Sequence, residues 1–505
     1  MSIRFYNTLS GKVEEFIPLE AGKVRIYTCG PTVYDFAHIG NYRTFVFQDI
    51  LRRHLRARGY EVVQVMNLTD VDDKTIRNSQ AAGLSLREYT DRYIKAFEID
   101  RQLLNLETPE VVARATEHIP EMVKLIQTLE EKGFAYRSEG SVYFRVSRFP
   151  DYGKLSKIDL EGMRAGARVD SDEYDKANVR DFVLWKAAKG GEPAWETALG
   201  AGRPGWHIEC SVMSMKYLGE TFDIHSGGSD LVFPHHENEI AQSQAATGKP
   251  FVRYWLHAEH LIVNGEKMSK SLGNFFTLRD LIGKGYKPSA IRYLLASVPY
   301  RKPLNFTFDG LHQAQRSIER LRNFRYRLTM EKFAGSENPE LQARAKAAVQ
   351  SFDDALDDNL NTAEALAAIF DLVRDTNTAM DRGEFGEGDK PSMLNALQHW
   401  NRIFAAIEDT DHAKLVKFGF IIGDANVELK GLAVRGAGDF RTGDGYTSPV
   451  LIDALSEPEI ERRLAERNAA RARRDFAASD KIRDELLSAG VILEDTKAGT
   501  RWKRK

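Results

Sequence analysis

Residues 24–66 constrain the fold more than any other stretch of the chain. Val24 to Thr28 is a short apolar run rich in strand formers. Gly30, Pro31 and Thr32 then make a loop, and Phe45, Val46, Ile50 and Leu51 recur at helical spacing over 39–58. Glu61 to Met66 reads as a second strand. Two strands joined by a helix must pair in parallel, so the pattern predicts a βαβ unit and a Rossmann-like, doubly wound parallel sheet. Ligands of such a sheet lie at the carboxyl ends of its strands. Cys29 and the run Asn67-Leu68-Thr69-Asp70 sit at two such ends.

The loop between first strand and helix is also an anion-binding arrangement. Free N–H groups and the positive end of the helix dipole face outward near His38, and Gly40 lets a ligand approach the backbone. Far along the chain, Lys267-Met268-Ser269-Lys270-Ser271 lies on a polar loop flanked by Asn264-Gly265 and Gly273-Asn274. Two lysines there can reach a triphosphate as mobile point charges. Each stretch alone also reads as an ordinary turn.

Taken together, Tyr27-Thr28-Cys29-Gly30-Pro31-Thr32-Val33-Tyr34-Asp35, His38-Ile39-Gly40-Asn41 and the Lys267–Ser271 pentapeptide resemble the cysteinyl-tRNA synthetases, which are class I aminoacyl-tRNA synthetases. The resemblance covers essentially the whole chain. It departs at Asn41, where the class signature usually ends in His.

A chain of 505 residues is too long for one core, and several domains are expected. The formal net charge is only −2, but it is unevenly spread. Residues 456–505 carry 13 Lys/Arg against 10 Asp/Glu and end in Arg501-Trp502-Lys503-Arg504-Lys505. A basic tail suits phosphate contacts, and equally a solvated terminus. Two cysteines make no disulfide framework and fit a reducing compartment. No charged-then-apolar leader and no membrane-length apolar run is present, so a cytoplasmic location is expected.

In order, 1–104 reads as the first half of the catalytic domain. Residues 105–205 read as an insertion, which the resemblance equates with the connective peptide. Residues 206–307 return to α/β character and carry the lysine loop; within them Gly227 to Asp230 reads as a turn and 234–246 as a helix. Four charged, apolar-spaced segments in 308–417 predict a helical bundle. Residues 418–455 are Gly-rich and read as a flexible linker, and 456–505 as a small α+β unit of two helices, a strand at 491–494 and the tail.

Cys29, Cys210, His235 and Glu239 are scattered over some two hundred residues, and sequence alone does not join them. His235 and Glu239 do share a helix face, at i and i+4. Read alone, Cys29 is a small buried residue and His235 part of a polar helix start. The resemblance implies that these four hold one Zn²⁺, a soft-tolerant ion that binds a substrate thiolate far better than a serine hydroxyl. It further implies L-cysteine contacts from Thr69, Trp206 and His225. ATP contacts are implied from His38, Gly40, Asn41, Asp230 and Lys267, Met268, Ser269, Lys270 and Ser271, with Mg²⁺ as helper. His38, Lys267 and Lys270 would carry the charge of activation.

The implied reaction activates L-cysteine with ATP and transfers it to the terminal adenosine of tRNA(Cys). The bundle and tail would hold the tRNA, with Asp480, Arg483, Glu494 and Trp502 as anticodon readers. The chain is expected to act as a monomer. Two alternatives share these residues: a ligase joining cysteine to an amino sugar, as in mycothiol synthesis, and a non-catalytic RNA-binding paralogue.

Overall fold

The computed structural model describes residues 2–158, 180–420, 457–473, 475–488, 491–496 and 499–504. At its centre is a five-stranded, all-parallel sheet, in the order Val252–Ala258, Phe222–Gly228, Lys23–Thr28, Glu61–Leu68, Val111–Arg114. Helices cover both faces, so the inner strands are buried almost throughout, as an apolar parallel sheet requires. The helix Ile39–Ala57 crosses from first strand to second. Its start is fixed by a reciprocal cap: His38 Nδ1 accepts from the Asn41 N–H, and Asn41 Oδ1 accepts from the His38 N–H.

The expected doubly wound architecture is therefore present, with differences in detail. Val111–Arg114 is a strand of the central sheet, although it lies inside the stretch read as an insertion. At four residues it is too short to show an alternation. The helix Asp73–Ala81 was not expected; it buries Thr75, Ile76 and Ser79, so it carries no apolar stripe. Gly227 and Gly228 end a strand, and the turn is confined to Ser229–Leu231. The helix expected at 234–246 starts at Glu237, because Val232–His236 forms a wider π-type turn first.

The described part of the insertion builds a four-stranded antiparallel sheet from Ala135–Ser138, Ser141–Phe144, Phe182–Ala187 and Gly202–Pro204. The polar run Asp170 to Asp175 lies outside the described residues. The N-terminal hairpin Arg4–Asn7 and Lys12–Glu15 docks on the far edge strand, where Thr8 N–H donates to the Trp255 carbonyl.

Four long helices, Phe308–Met330, Pro339–Asp357, Thr362–Arg382 and Lys390–Phe404, form the bundle. The third is capped by Asn361, whose side chain accepts from the Glu364 N–H. The fourth ends at Phe404, where Ala405 takes a left-handed conformation. A short helix, Asp411–Lys417, follows. Of the stretch read as a linker, Phe418 to Phe420 is packed, with Phe420 buried and Arg279 over its ring at 5.4 Å. Residues 421–456 lie outside the described residues.

The last unit has helices Glu457–Ala472 and Phe476–Ser488 and a hairpin, Val491–Thr496 with Gly499–Arg504. The basic tail is thus a strand for most of its length. Trp502 pairs opposite Leu493 and packs on the small core of Ile460, Leu486 and Val491.

Candidate active site

The functional candidates gather at the carboxyl ends of three neighbouring strands. Cys29 follows the central strand and is buried. Cys210 comes from the helix Trp206–Leu218, and His235 and Glu239 straddle the π-turn and the helix behind it. The ligand atoms of Cys29, Cys210, His235 and Glu239 all lie within 4.8 Å of one another. A second buried set, Cys29, His225, His236 and Glu239, meets the same limit and shares two members with the first. His235 Nε2 is 3.1 Å from Glu239 Oε1, and His225 Nε2 is 2.9 Å from Glu239 Oε2.

The chemistry of this donor set fits a soft divalent cation. Two thiols, imidazoles and one carboxylate converge in a dry pocket. Burial pushes the Glu239 carboxyl up to about 8 against the pull of His235, and Oε1 makes no hydrogen bond. Burial also depresses His225 and His235 to about 3, so both imidazoles are neutral and can offer lone pairs.

Three histidines that sequence reasoning did not single out support this set. His236 Nε2 lies 3.3 Å from Cys29 Sγ, and its Nδ1 is 2.7 Å from His257 Nε2. His257 in turn reaches Thr8 Oγ1 at 2.8 Å. His207 Nδ1 is 2.9 Å from His235 Nδ1. The adjacent pair His235-His236 was visible in the sequence; the partners that give it meaning are remote.

Trp206 stands half-buried beside the cluster, its ring stacked 4.2 Å from that of His235. Thr69 is buried; its hydroxyl accepts from Asn67 and donates to Glu209 at 3.0 Å. Trp206, Glu209 and Cys210 share one helix face. His225 stacks on Trp255 at 4.6 Å. Trp206 and His225 thus touch members of the donor cluster, whereas Thr69 reaches Glu209, the neighbour of Cys210 in sequence.

The nucleotide candidates form a second group. His38 is the N-cap of its helix, and burial, with help from Lys270, lowers its pKa to about 4 against the pull of Asp230. Asp230 is exposed in the turn after the strand Phe222–Gly228. A Cβ at Gly228 would stand 2.3 Å from its carboxylate oxygen. The lysine loop folds onto this helix start. A Cβ at Gly40 would meet the His38 ring at 2.9 Å and Met268 Cε at 3.2 Å. Lys270 Nζ is 2.6 Å from Asp35 Oδ2 and lies over the Phe275 ring. Ser269 N–H donates to Asn274, and the Ser269 and Ser271 hydroxyls are 3.2 Å apart. Lys267 is exposed on a two-residue strand. Asn41 spends its carbonyl on the cap, a duty suited to its short side chain.

The description "tRNA synthetases class I (C) catalytic domain" matches residues 15–316, and "DALR domain" matches 351–407. Cysteine--tRNA ligases from Koribacter versatilis and Solibacter usitatus are each 56% identical over 100% of both chains. One from Leptospira interrogans is 43% identical over the full length of both. The chain belongs to the cysteine--tRNA ligase family. Solved structures of other class I synthetases share its fold. Mycobacterium tuberculosis methionyl-tRNA synthetase with methionyl-adenylate superposes at a TM-score of 0.56 and 14% identity, over 78% of this chain and 93% of that one. The Agrobacterium radiobacter agnB2 LeuRS in its ternary complex gives 0.55 at 12% identity, over 79% and 88%.

Of the expected anticodon readers in this family member, Asp480 and Arg483 are exposed on the helix Phe476–Ser488. Glu494 pairs across the hairpin with Arg501. Trp502 donates its indole N–H to Glu461 at 2.5 Å. All four belong to the same small C-terminal unit. No helix among the described residues is long and apolar enough to cross a membrane.

Proposed function

We propose that this chain is an ATP-dependent ligase that charges tRNA(Cys) with L-cysteine. The observation that carries the reading is the meeting of Cys29, Cys210, His235 and Glu239 beside Trp206. These four would hold Zn²⁺, which when bound supplies a soft acceptor for the substrate thiolate and so a basis for refusing serine. Trp206, Thr69 and His225 border the amino acid. His38 and the helix start hold ATP phosphates through hydrogen bonds, because His38 is neutral near pH 7. Asp230 faces the ribose hydroxyls. Lys267 and Lys270 take up the charge of departing pyrophosphate, helped by Mg²⁺, and Met268, Ser269 and Ser271 shape their loop. The cysteine carboxylate attacks the α-phosphorus; the terminal adenosine hydroxyl then attacks the adenylate and releases AMP.

We assign tRNA binding to the bundle and to 456–505, with Asp480, Arg483, Glu494 and Trp502 near the anticodon, and read the chain as a cytoplasmic monomer. An amino-sugar acceptor is not favoured, since relatives named as tRNA ligases match through the C-terminal unit. The test is cysteine attachment to a transcript with a GCA anticodon, with an anticodon-swapped control and zinc-loaded protein. Charging of the first alone is expected. Cysteine-dependent pyrophosphate exchange without any tRNA charging would overturn the acceptor assignment.

A further inference from the structure

A hydrogen-bonded relay links the end of the central strand to the helix Trp206–Leu218. The Gly30 N–H donates to Asn67 Oδ1 at 2.8 Å, Asn67 Nδ2 donates to Thr69 Oγ1 at 3.1 Å, and the Thr69 hydroxyl donates to Glu209 Oε2. Asn67, Thr69 and Glu209 are all buried. Close packing holds the first link: a Cβ at Gly30 would stand 1.9 Å from the Asn67 carbonyl oxygen. The direction of the relay is fixed at its start. A backbone N–H can only donate, so the amide oxygen of Asn67 faces Gly30 and its NH₂ faces Thr69. The Thr69 proton must then go to Glu209. A hydroxyl has one proton and two lone pairs, so one lone pair of Thr69 Oγ1 is left over. Glu209 precedes Cys210 and lies three residues after Trp206, a spacing that sets Cβ atoms about 5–6 Å apart on one helix face. It is wholly buried; Thr69 is the one hydrogen-bond partner of its carboxyl among the described residues, and Oε1 has none. A buried carboxyl held by a single bond is destabilising, which points to a ligand rather than to the fold as the reason for its place.

We propose that Glu209 is a positioning residue for the α-ammonium group of L-cysteine, acting through Thr69: it takes the hydroxyl proton and leaves the free lone pair for an N–H donor of the substrate. The inference rests on the proposed activity and on Thr69 bordering the amino acid. Cysteine brings three polar groups. Its carboxylate only accepts, and its thiol is assigned to the metal. The ammonium is the one strong donor, and it makes a charge-assisted bond to an acceptor so aimed. A Thr69 hydroxyl turned the other way would point its own proton at the ammonium. Glu209 stands one bond behind the substrate and touches none of the reacting atoms.

The test measures cysteine-dependent pyrophosphate exchange, bound Zn²⁺ and thermal unfolding for the parent, Glu209→Met and Glu209→Gln. Mercaptopropionate, which has the thiol and the carboxylate but no amine, serves as a competitor. Glu209→Met removes the acceptor of the Thr69 proton with little change in shape. It should raise KM for L-cysteine roughly tenfold, as loss of one hydrogen bond to a charged group does. It should leave kcat, KM for ATP and inhibition by mercaptopropionate within about twofold of the parent. Glu209→Gln keeps an oxygen for that proton and should recover most of the loss. An unchanged KM for L-cysteine in Glu209→Met overturns the proposal. So does equal weakening of cysteine and mercaptopropionate, loss of bound Zn²⁺, or melting well below the parent, since Glu209 would then hold the helix of Cys210 and not the ammonium. A Glu209→Gln no better than Glu209→Met overturns the route through Thr69. Absence of cysteine-dependent exchange from the parent would instead overturn the proposed function, and this inference with it.

Discussion

At the scale of single residues, the site depends on small volumes and neutral rings. Gly40 leaves the space in which the His38 ring and Met268 meet. Gly40→Ala should keep the fold and lose at least about tenfold in ATP-dependent pyrophosphate exchange, since displacements near 1 Å at a reacting centre cost that much or more. His38 gives a pH prediction. Its pKa falls to about 4 through burial, so the folded protein binds fewer protons than the unfolded chain between about 4 and the ordinary 6.5. Its contribution to stability is therefore complete above 6.5 and is lost as pH falls toward 4. The same shift means that kcat/KM for ATP should show no acid limb near 6.5 owing to His38. A limb there that disappears in His38→Asn would contradict the neutral ring. His38, the lysine pair and the four donors were legible because a motif or a resemblance marks each one. His207 and His257 were not, since their contacts are with partners remote in sequence.

At the scale of elements, the helix Ile39–Ala57 carries two tasks at its two ends. Its first residue follows the His38 cap, and about 28 Å is available along its 19 residues. Further along, Asp49 takes Arg292 at 2.5 Å and His54 Nε2 is 3.0 Å from Asp357 Oδ1 of the bundle. Arg292 also donates to the Phe404 carbonyl. Burial would raise Asp49, yet Arg292 and Arg53 hold it below the usual carboxylate range. Arg292→Met leaves Asp49 with Arg53 as its one guanidinium partner and takes the donor from the buried Phe404 carbonyl, and should lower unfolding free energy by about 3 kcal/mol in denaturant titration. The lysine loop is held differently. Its base is pinned by Ile39 N–H to the Phe276 carbonyl, while its tip rests on the exposed Lys270–Asp35 pair. That pair contributes to the nucleotide-free state only, if Lys270 turns to phosphate. Asp35→Asn should then lower KM for ATP about twofold and leave kcat unchanged; a raised KM would place Asp35 in ATP binding itself. Helices with apolar stripes were readable within a few residues. Asp73–Ala81 and Val111–Arg114 were not, one being polar and the other short.

At the scale of the whole molecule, the parallel sheet followed from the βαβ pattern, but the fifth strand's place did not. The C-terminal unit has a core of its own in Ile460, Leu486 and Val491. Deleting 456–505 should leave cysteine-dependent pyrophosphate exchange within about twofold of the parent and remove discrimination between anticodons; equal loss of both activities would show that the unit supports the catalytic core.

The sheet order has a consequence for synthesis. Lys23–Thr28 is the middle strand, yet one of its two neighbours, Phe222–Gly228, is made about 200 residues later. At ribosomal speeds of about 5–20 residues per second, its free edge stays open for roughly 10–40 s. Throughout that interval Cys29 ends a bare strand, with all three of its expected metal partners still unmade. Nascent chains should therefore be most prone to edge-to-edge association, and to thiol capture, before residue 239 leaves the ribosome.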